Sequence, residues 1–402
     1  MFNGLSAKPW IALAAFVCTL AQAATLDEVV RLALQTYPSI DAARANRDAA
    51  QFGVQQARAQ HYPSVDVTSQ RRVAGTAINV TNPALRLNLY ASGAIEAGVE
   101  RESWRERSLA STELVTREDV AFTAAQAYFR LFRAVILLDT TMKNFDRHKK
   151  LVDDFAAIAS IDQGRRYDFV QASSRLEQVR LQVADRETEI AAAREGLARY
   201  YPDPIEPKSL SLPPPLPEPG SMMSDDAISR HPSVEAARRL LLSAEANVKA
   251  ARANRAPRVD LQATGGAYGA SIVTFTWPAF DLSRSAAEDA AVASLVGARA
   301  TLQEQERIIR ERQQTSVQSW LAALRREGVA QGQIGLAQEV VDVYRAQFQI
   351  GRRNLLDLLN AFAELSNSEI ALESARVDKS LARYQLEYAV GRLSALVEER
   401  RP

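Results

Sequence analysis

"YPSIDAARANRDAAQFGVQQARAQHYPSVD", residues 37–66, returns at residues 231–260 as "HPSVEAARRLLLSAEANVKAARANRAPRVD", without a gap and at an offset of 194. Pro38, Ser39, Ala42, Ala43, Arg44, Pro63, Val65 and Asp66 recur as Pro232, Ser233, Ala236, Ala237, Arg238, Pro257, Val259 and Asp260. Each copy reads as an Ala-rich helix ended by proline, Ser39 to Gln60 and Ser233 to Ala256, with Ser39 as the N-cap of the first. One structural unit is therefore used twice in the chain.

After each helix the apolar period changes from helical to two. Val65, Val67, Ser69, Arg71 and Val73 alternate with Asp66, Thr68, Gln70 and Arg72, and Leu85, Leu87 and Leu89 alternate with Arg86, Asn88 and Tyr90. The second half repeats this with strands Arg258 to Thr264 and Ile272 to Phe280, turning through "GGAYGAS" and placing Val273, Phe275 and Trp277 on one face. The glycines there lack the G-x-x-x-x-G-K spacing and following helix of a phosphate loop, so they read as a turn.

Each hairpin leads into a proline-free helical stretch, Ser92 to about Ile158 and Ser283 to about Gln349. Some 65 residues at 1.5 Å each make a rod of roughly 100 Å, longer than an ordinary globular domain. Gly164 and Gly351 mark the turns, after which helices return over Arg165 to Tyr200 and Arg352 to Val397. The short and returning helices together nearly match the long one, so they stack end to end beside it. The Pro-rich segment 202–226 joins the halves 24–201 and 227–402.

Residues 1–23 carry Lys8, the apolar run Trp10 to Leu20, and Ala21-Gln22-Ala23, the pattern of a removed signal peptide. The one cysteine, Cys18, lies inside it, so the mature chain is expected to have no disulfide and no lipid anchor. A net charge of +1 with interleaved acids and bases speaks against a nucleic-acid partner. His61, His148 and His231 have no metal-ligand spacing, and neither G-x-S-x-G nor a cysteine nucleophile is present, so no enzyme, metal or cofactor is expected.

Two hairpins give four strands, close to the length with which a tilted strand crosses a bilayer. Four strands cannot close, and an open edge in lipid leaves backbone groups unsatisfied, so several chains must share one barrel. Eight strands make a barrel that side chains fill, whereas twelve leave room for water. A small soluble sheet is the alternative for the hairpins, and a periplasmic coiled-coil scaffold or adhesin is the alternative for the rods.

The repeat, the hairpins, "WPAFD" at 277–281 and "GRRNLLDLLNAFAEL" at 351–365 resemble the TolC family of outer-membrane channel proteins over essentially the whole mature chain. The resemblance implies a mainly α fold with a small transmembrane β part. Long α-helical hairpins form an α-barrel, and four strands per chain enter a shared twelve-stranded β-barrel in a homotrimer. It places the chain in the outer membrane of a Gram-negative bacterium, mostly in the periplasm, with Val273, Phe275 and Trp277 facing outer-membrane lipid. The implied partners are a periplasmic adaptor (membrane fusion) protein and an inner-membrane ABC or proton-driven transporter.

The implied function is an export duct. "DQGRRYDFVQASSRL" and "GRRNLLDLLNAF" resemble the type I secretion branch, with multidrug efflux as the alternative. The hairpin-to-helix junctions "NLYASG" and "PAFDLS" depart from the family's P-L-F-D-G-G. The chain stops soon after Val397, so any mid-tunnel collar is expected to rest on the connector. The resemblance also places a periplasmic gate at the turns around Gly164 and Gly351, with Asp168, Phe348, Arg353 and Asp357 at the gate positions and Asn360 where the family has a second acid. Exposed ion pairs contribute about 0.2–1 kcal/mol each, so Asp168 to Arg353 links repeated threefold would hold a tunnel shut yet yield to an adaptor.

Overall fold

In the computed structural model, residues 25–71, 79–203, 205–206, 209–216, 225–265 and 269–400 are described. The expected leader lies outside them, as do Arg72 and Val73 of the first expected strand and Gly266, Ala267 and Tyr268 of the "GGAYGAS" turn.

The first half runs α1 (Leu26–Thr36), α2 (Pro38–Ala59), β1 (Ser64–Arg71), β2 (Asn79–Tyr90), α3 (Ala94–Ile161) and α4 (Arg166–Ala198). The second runs α5 (Asp225–Ser229), α6 (Pro232–Ala253), β3 (Arg258–Thr264), β4 (Ala270–Thr276), α7 (Leu282–Gln349), α8 (Leu355–Val390) and α9 (Leu393–Glu399). Helices α3 and α7 have 68 residues each, about 100 Å of rod. Along α3 pack α2 and then α4; along α7 pack α6 and then α8. Contacts of α3 with α6 and α8 join the two halves side by side.

Several local details differ from the sequence reading. Ser39 is not the cap of α2: Tyr37 takes that place without a side-chain bond, and Pro38 opens the helix, where its missing N–H costs nothing. In the second copy His231 does cap, its Nδ1 accepting from the Ser233 N–H at 3.2 Å. Strand β4 ends at Thr276, before Trp277 and Pro278, and not at Phe280. The last helix is not continuous, because Gly391 closes α8 with φ +74°. A Cβ there would stand 2.6 Å from Pro232 Cδ, so both backbone and space call for glycine. Helix α1, unforeseen, starts at a capping box in which Thr25 and Glu28 bond reciprocally.

The core lies at the middle of the rods. Val29, Val30 and Ala33 of α1, Ala121, Ala124, Tyr128 and Leu131 of α3, Leu197 of α4, Tyr384 of α8 and Val397 of α9 are almost fully buried together. Among the described residues α3 alone is apolar and long enough to cross a membrane by composition; half of that apolar window is buried inside the chain. The connector is fastened here by the Tyr128 hydroxyl, which donates to the Ser211 carbonyl at 2.8 Å, and by Ile205 and Leu216 in the core. Glu118, buried on α3, accepts from the Leu393 and Ser394 N–H groups and the Ser394 hydroxyl. It thereby satisfies the open start of α9; burial raises its pKa, against the pull of those three bonds.

The four strands form one antiparallel sheet in the order β1-β2-β3-β4. The seam between the hairpins pairs Leu87 with Leu261 and Leu85 with Ala263, and its register shifts between Asn88 and Tyr90. Strands β1 and β4 are the edges of the sheet, and among the described residues no further strand pairs with their outer sides.

Candidate functional site

Two regions carry the sequence-derived site residues, at opposite ends of the rods. At the sheet, the register puts Val65 beside Leu85, Leu261 beside Val273, and Val259 beside Phe275. Alternation therefore gathers an apolar face of Val65, Leu85, Leu87, Leu261, Val273 and Phe275. Among the described residues nothing covers it: Val65, Val67, Val273 and Phe275 are each more than 60 % exposed. Trp277 is also exposed and lies just past the end of β4. The opposite face is polar and lines an open hollow of about 650 Å³ with Gln60, Arg86, Asn88, Arg258, Asp260 and Thr274.

At the far end, two turns reverse the helices. Asp162 closes α3, and its carboxylate accepts from the Gly164 N–H at 2.9 Å to shape a single 3₁₀ turn before α4. Gly351, with φ +72°, closes α7; its N–H donates to the Phe348 carbonyl and the Arg352 N–H to that of Gln347, both at 2.9 Å. Asn354 then caps α8 by accepting from the Asp357 N–H at 2.9 Å, which sets the Asp357 carboxylate in the first helical turn, where it suits the helix dipole.

Arg353 and Asp357 are brought together, Nη1 to Oδ2 at 3.3 Å. Arg353 is further held by Nε donating to Gln347 Oε1 at 3.0 Å and by stacking over Tyr344, 3.8 Å from the ring centroid. Asp168 stands apart: its ion pair is with Arg165 on its own turn, at 4.0 Å. Among the described residues no ion pair joins Asp168 to Arg353 within one chain. Phe348 is packed between the two hairpins, its ring 5.7 Å from that of Phe155, with Leu355, Leu359 and Ala172 beside it. A second apolar group, Val341, Leu358, Phe362 and Leu365, continues from it toward the middle. Burying such side chains contributes about 1.5–3 kcal/mol each, so apolar packing outweighs any single ion pair at the tip.

The sequence reading missed several links across the hairpins. Arg175 of α4 donates to Asn360 Oδ1 of α8 at 3.2 Å, so Asn360 is a bridging residue. Arg147 of α3 makes a two-pronged bond with Glu369 of α8 at 2.8 and 2.6 Å. His148 is buried beside them, its ring 5.7 Å from that of Phe362. Burial, then the charges of Arg175 and Arg147, lower its pKa to about 4. None of these partners has a sequence spacing that would mark it. Among the described residues no group of three or more His, Cys, Asp or Glu is placed to hold a metal.

The chain matches the outer membrane efflux protein family over residues 223–396. It is 30 % identical over 254 residues to Protein CyaE of Bordetella pertussis, covering 59 % of this chain and 53 % of that protein, about half its length. It is 22 % identical to outer membrane protein TolC of Escherichia coli over 94 % of this chain and 84 % of TolC. Its fold is that of the Neisseria gonorrhoeae MtrE outer membrane channel, with a TM-score of 0.77 at 18 % identity, covering 91 % of this chain and 88 % of that one.

Proposed function

We propose that the chain, which matches the outer membrane efflux protein family over residues 223–396, is a TolC-like outer-membrane channel and the export duct of a tripartite system. The observation that carries this is the sheet: four strands with one uncovered apolar face, one polar face and two open edges, set on rods of about 100 Å. In lipid such edges must be closed by other chains. Three copies give twelve strands around a water-filled lumen, and the rods continue the lumen across the periplasm. Val273, Phe275 and Trp277 face lipid in this reading. The halves 24–201 and 227–402, joined by 202–226, form near-equivalent sectors, and residues 1–23 are a removed leader.

The helical tips form the periplasmic aperture, with Gly164 and Gly351 at the turns and Asp168, Phe348, Arg353 and Asp357 lining or holding it. An adaptor docked there, with an inner-membrane transporter behind it, supplies the cargo. We read that cargo as a polypeptide exported by type I secretion, from the stretches at 162–176 and 351–362. Small-molecule efflux is the second reading, favoured by the description of the family matched. Deleting the gene separates them: loss of one large protein from the culture medium, with drug tolerance unchanged, supports secretion. Loss of drug tolerance with an unchanged medium assigns efflux.

A further inference from the structure

We propose that the polar wall of the barrel is a charge-compensated collar, which leaves the barrel indifferent to the sign of a cargo's charge. The inference rests on the export-duct reading, since it takes the polar face of the sheet as the lumen.

Strand alternation puts Asp66, Arg86, Arg258 and Asp260 on one face with Thr68, Asn88, Gln262, Thr274 and Thr276. Every charged group on that face, among the described strand residues, has a partner of opposite sign. Asp66 Oδ2 lies 3.9 Å from Arg86 Nε on the first hairpin. Asp260 Oδ2 lies 3.3 Å from Arg258 Nε on the second. The other oxygen of Asp260 accepts from Asn88 Nδ2 at 2.9 Å, across the seam between the hairpins. The face thus carries two carboxylates and two guanidiniums per chain, six of each in a trimer.

These pairs are half-exposed and add little to stability, about 0–1 kcal/mol each. Their effect on a pore is larger than on the fold, because low-dielectric walls focus the field of fixed charges and set the local concentration of mobile ions. Unpaired, Arg86 and Arg258 would make the lumen attract anions and repel cations; paired at 3–4 Å, their fields cancel over a few ångströms.

The test uses the full-length trimer in planar bilayers under a KCl gradient, reading the reversal potential. Asp66→Asn with Asp260→Asn is expected to shift it toward anion preference, Arg86→Gln with Arg258→Gln toward cation preference, and the fourfold variant to return it to the parent value. The single variants Asp66→Asn and Arg86→Gln, at the more exposed pair, give the same two shifts at smaller size should a double variant fail to assemble. Thiol labelling tests the underlying reading separately: a charged, membrane-impermeant reagent should block current through Thr274→Cys and not through Phe275→Cys. If Thr274→Cys is blocked while no charge variant moves the reversal potential, or if the fourfold variant departs from the parent, the collar is refuted and the duct stands. If Phe275→Cys is the one blocked, or no variant conducts, the export-duct reading itself fails.

Discussion

The guanidinium of Arg353 lies over the ring of Tyr344, 3.8 Å from its centroid, and reaches Asp357 at 3.3 Å, so it ties the last turns of α7 to the first turn of α8. The stacking contributes about 0.5–1 kcal/mol at an exposed site and the ion pair about as much. Arg353 therefore stiffens the turn of its own chain, whatever it meets in a neighbour.

Arg353→Ala is expected to loosen this turn by about 1–2 kcal/mol per chain and to raise single-channel conductance while the trimer stays intact. Asp168→Ala, whose pair with Arg165 is 4.0 Å long and local, should raise it only if Asp168 also reaches a neighbouring chain. Conductance of the two single variants and of the double variant distinguishes a local clamp from a link between chains. Asp357→Ala should lower cation preference, since it removes a carboxylate that no second acid at Asn360 replaces.

Phe275 and Thr274 sit on opposite faces of β4. Phe275→Lys is expected to cost about 2–4 kcal/mol if the residue lies near the bilayer midplane, and Thr274→Lys to be mild. Heat dissociation of the trimer on gels reads the difference; equal loss from both substitutions would mean that the faces are misassigned.

His148 stays neutral in the folded chain down to about pH 4, whereas exposed imidazole takes a proton near 6.5. The unfolded chain thus binds the proton first as pH falls. Stability is unaffected by this group above about pH 6.5, and falls between there and pH 4 by at most about 3 kcal/mol per chain. His231, buried and also lowered to about 4 by burial and Arg312, adds a loss of the same sign. Thermal melting from pH 7 to 4 should show the decline, and His148→Gln should flatten part of it.

Gly391→Ala forces a side chain into the left-handed region and against Pro232. A cost of about 1–3 kcal/mol is expected, read as a lower melting temperature, while Gly98→Ala, with open space at its Cβ position, should be neutral or slightly stabilising.

Much of the architecture was legible because it rests on period and punctuation. The duplicated stretch, the prolines at 63 and 257, and the alternation around Val273 and Phe275 each dictate local geometry without help from distant residues. Where distant contacts decide, the sequence was silent. Gly391 lies inside the expected helix Arg352 to Val397, and nothing local marks it as a break until Pro232 is seen against it. The capping box at Thr25 adjoins the expected leader, which hid α1. At the tip, Gly351 and the acid at 357 were readable, but the partners of Arg353 follow from the way the chain folds back after Gly351, which brings Tyr344 and Gln347 beneath it. Arg175 with Asn360, and Arg147 with Glu369, join residues about two hundred positions apart and have no local signature.

Planar-bilayer recording of the mature protein purified from outer membranes tests the central claim most directly. The account predicts discrete unitary openings from a particle of three chains, enlarged when Arg353 is replaced by alanine. A protein that inserts without conducting, or that is recovered as single chains outside the outer membrane, would contradict it.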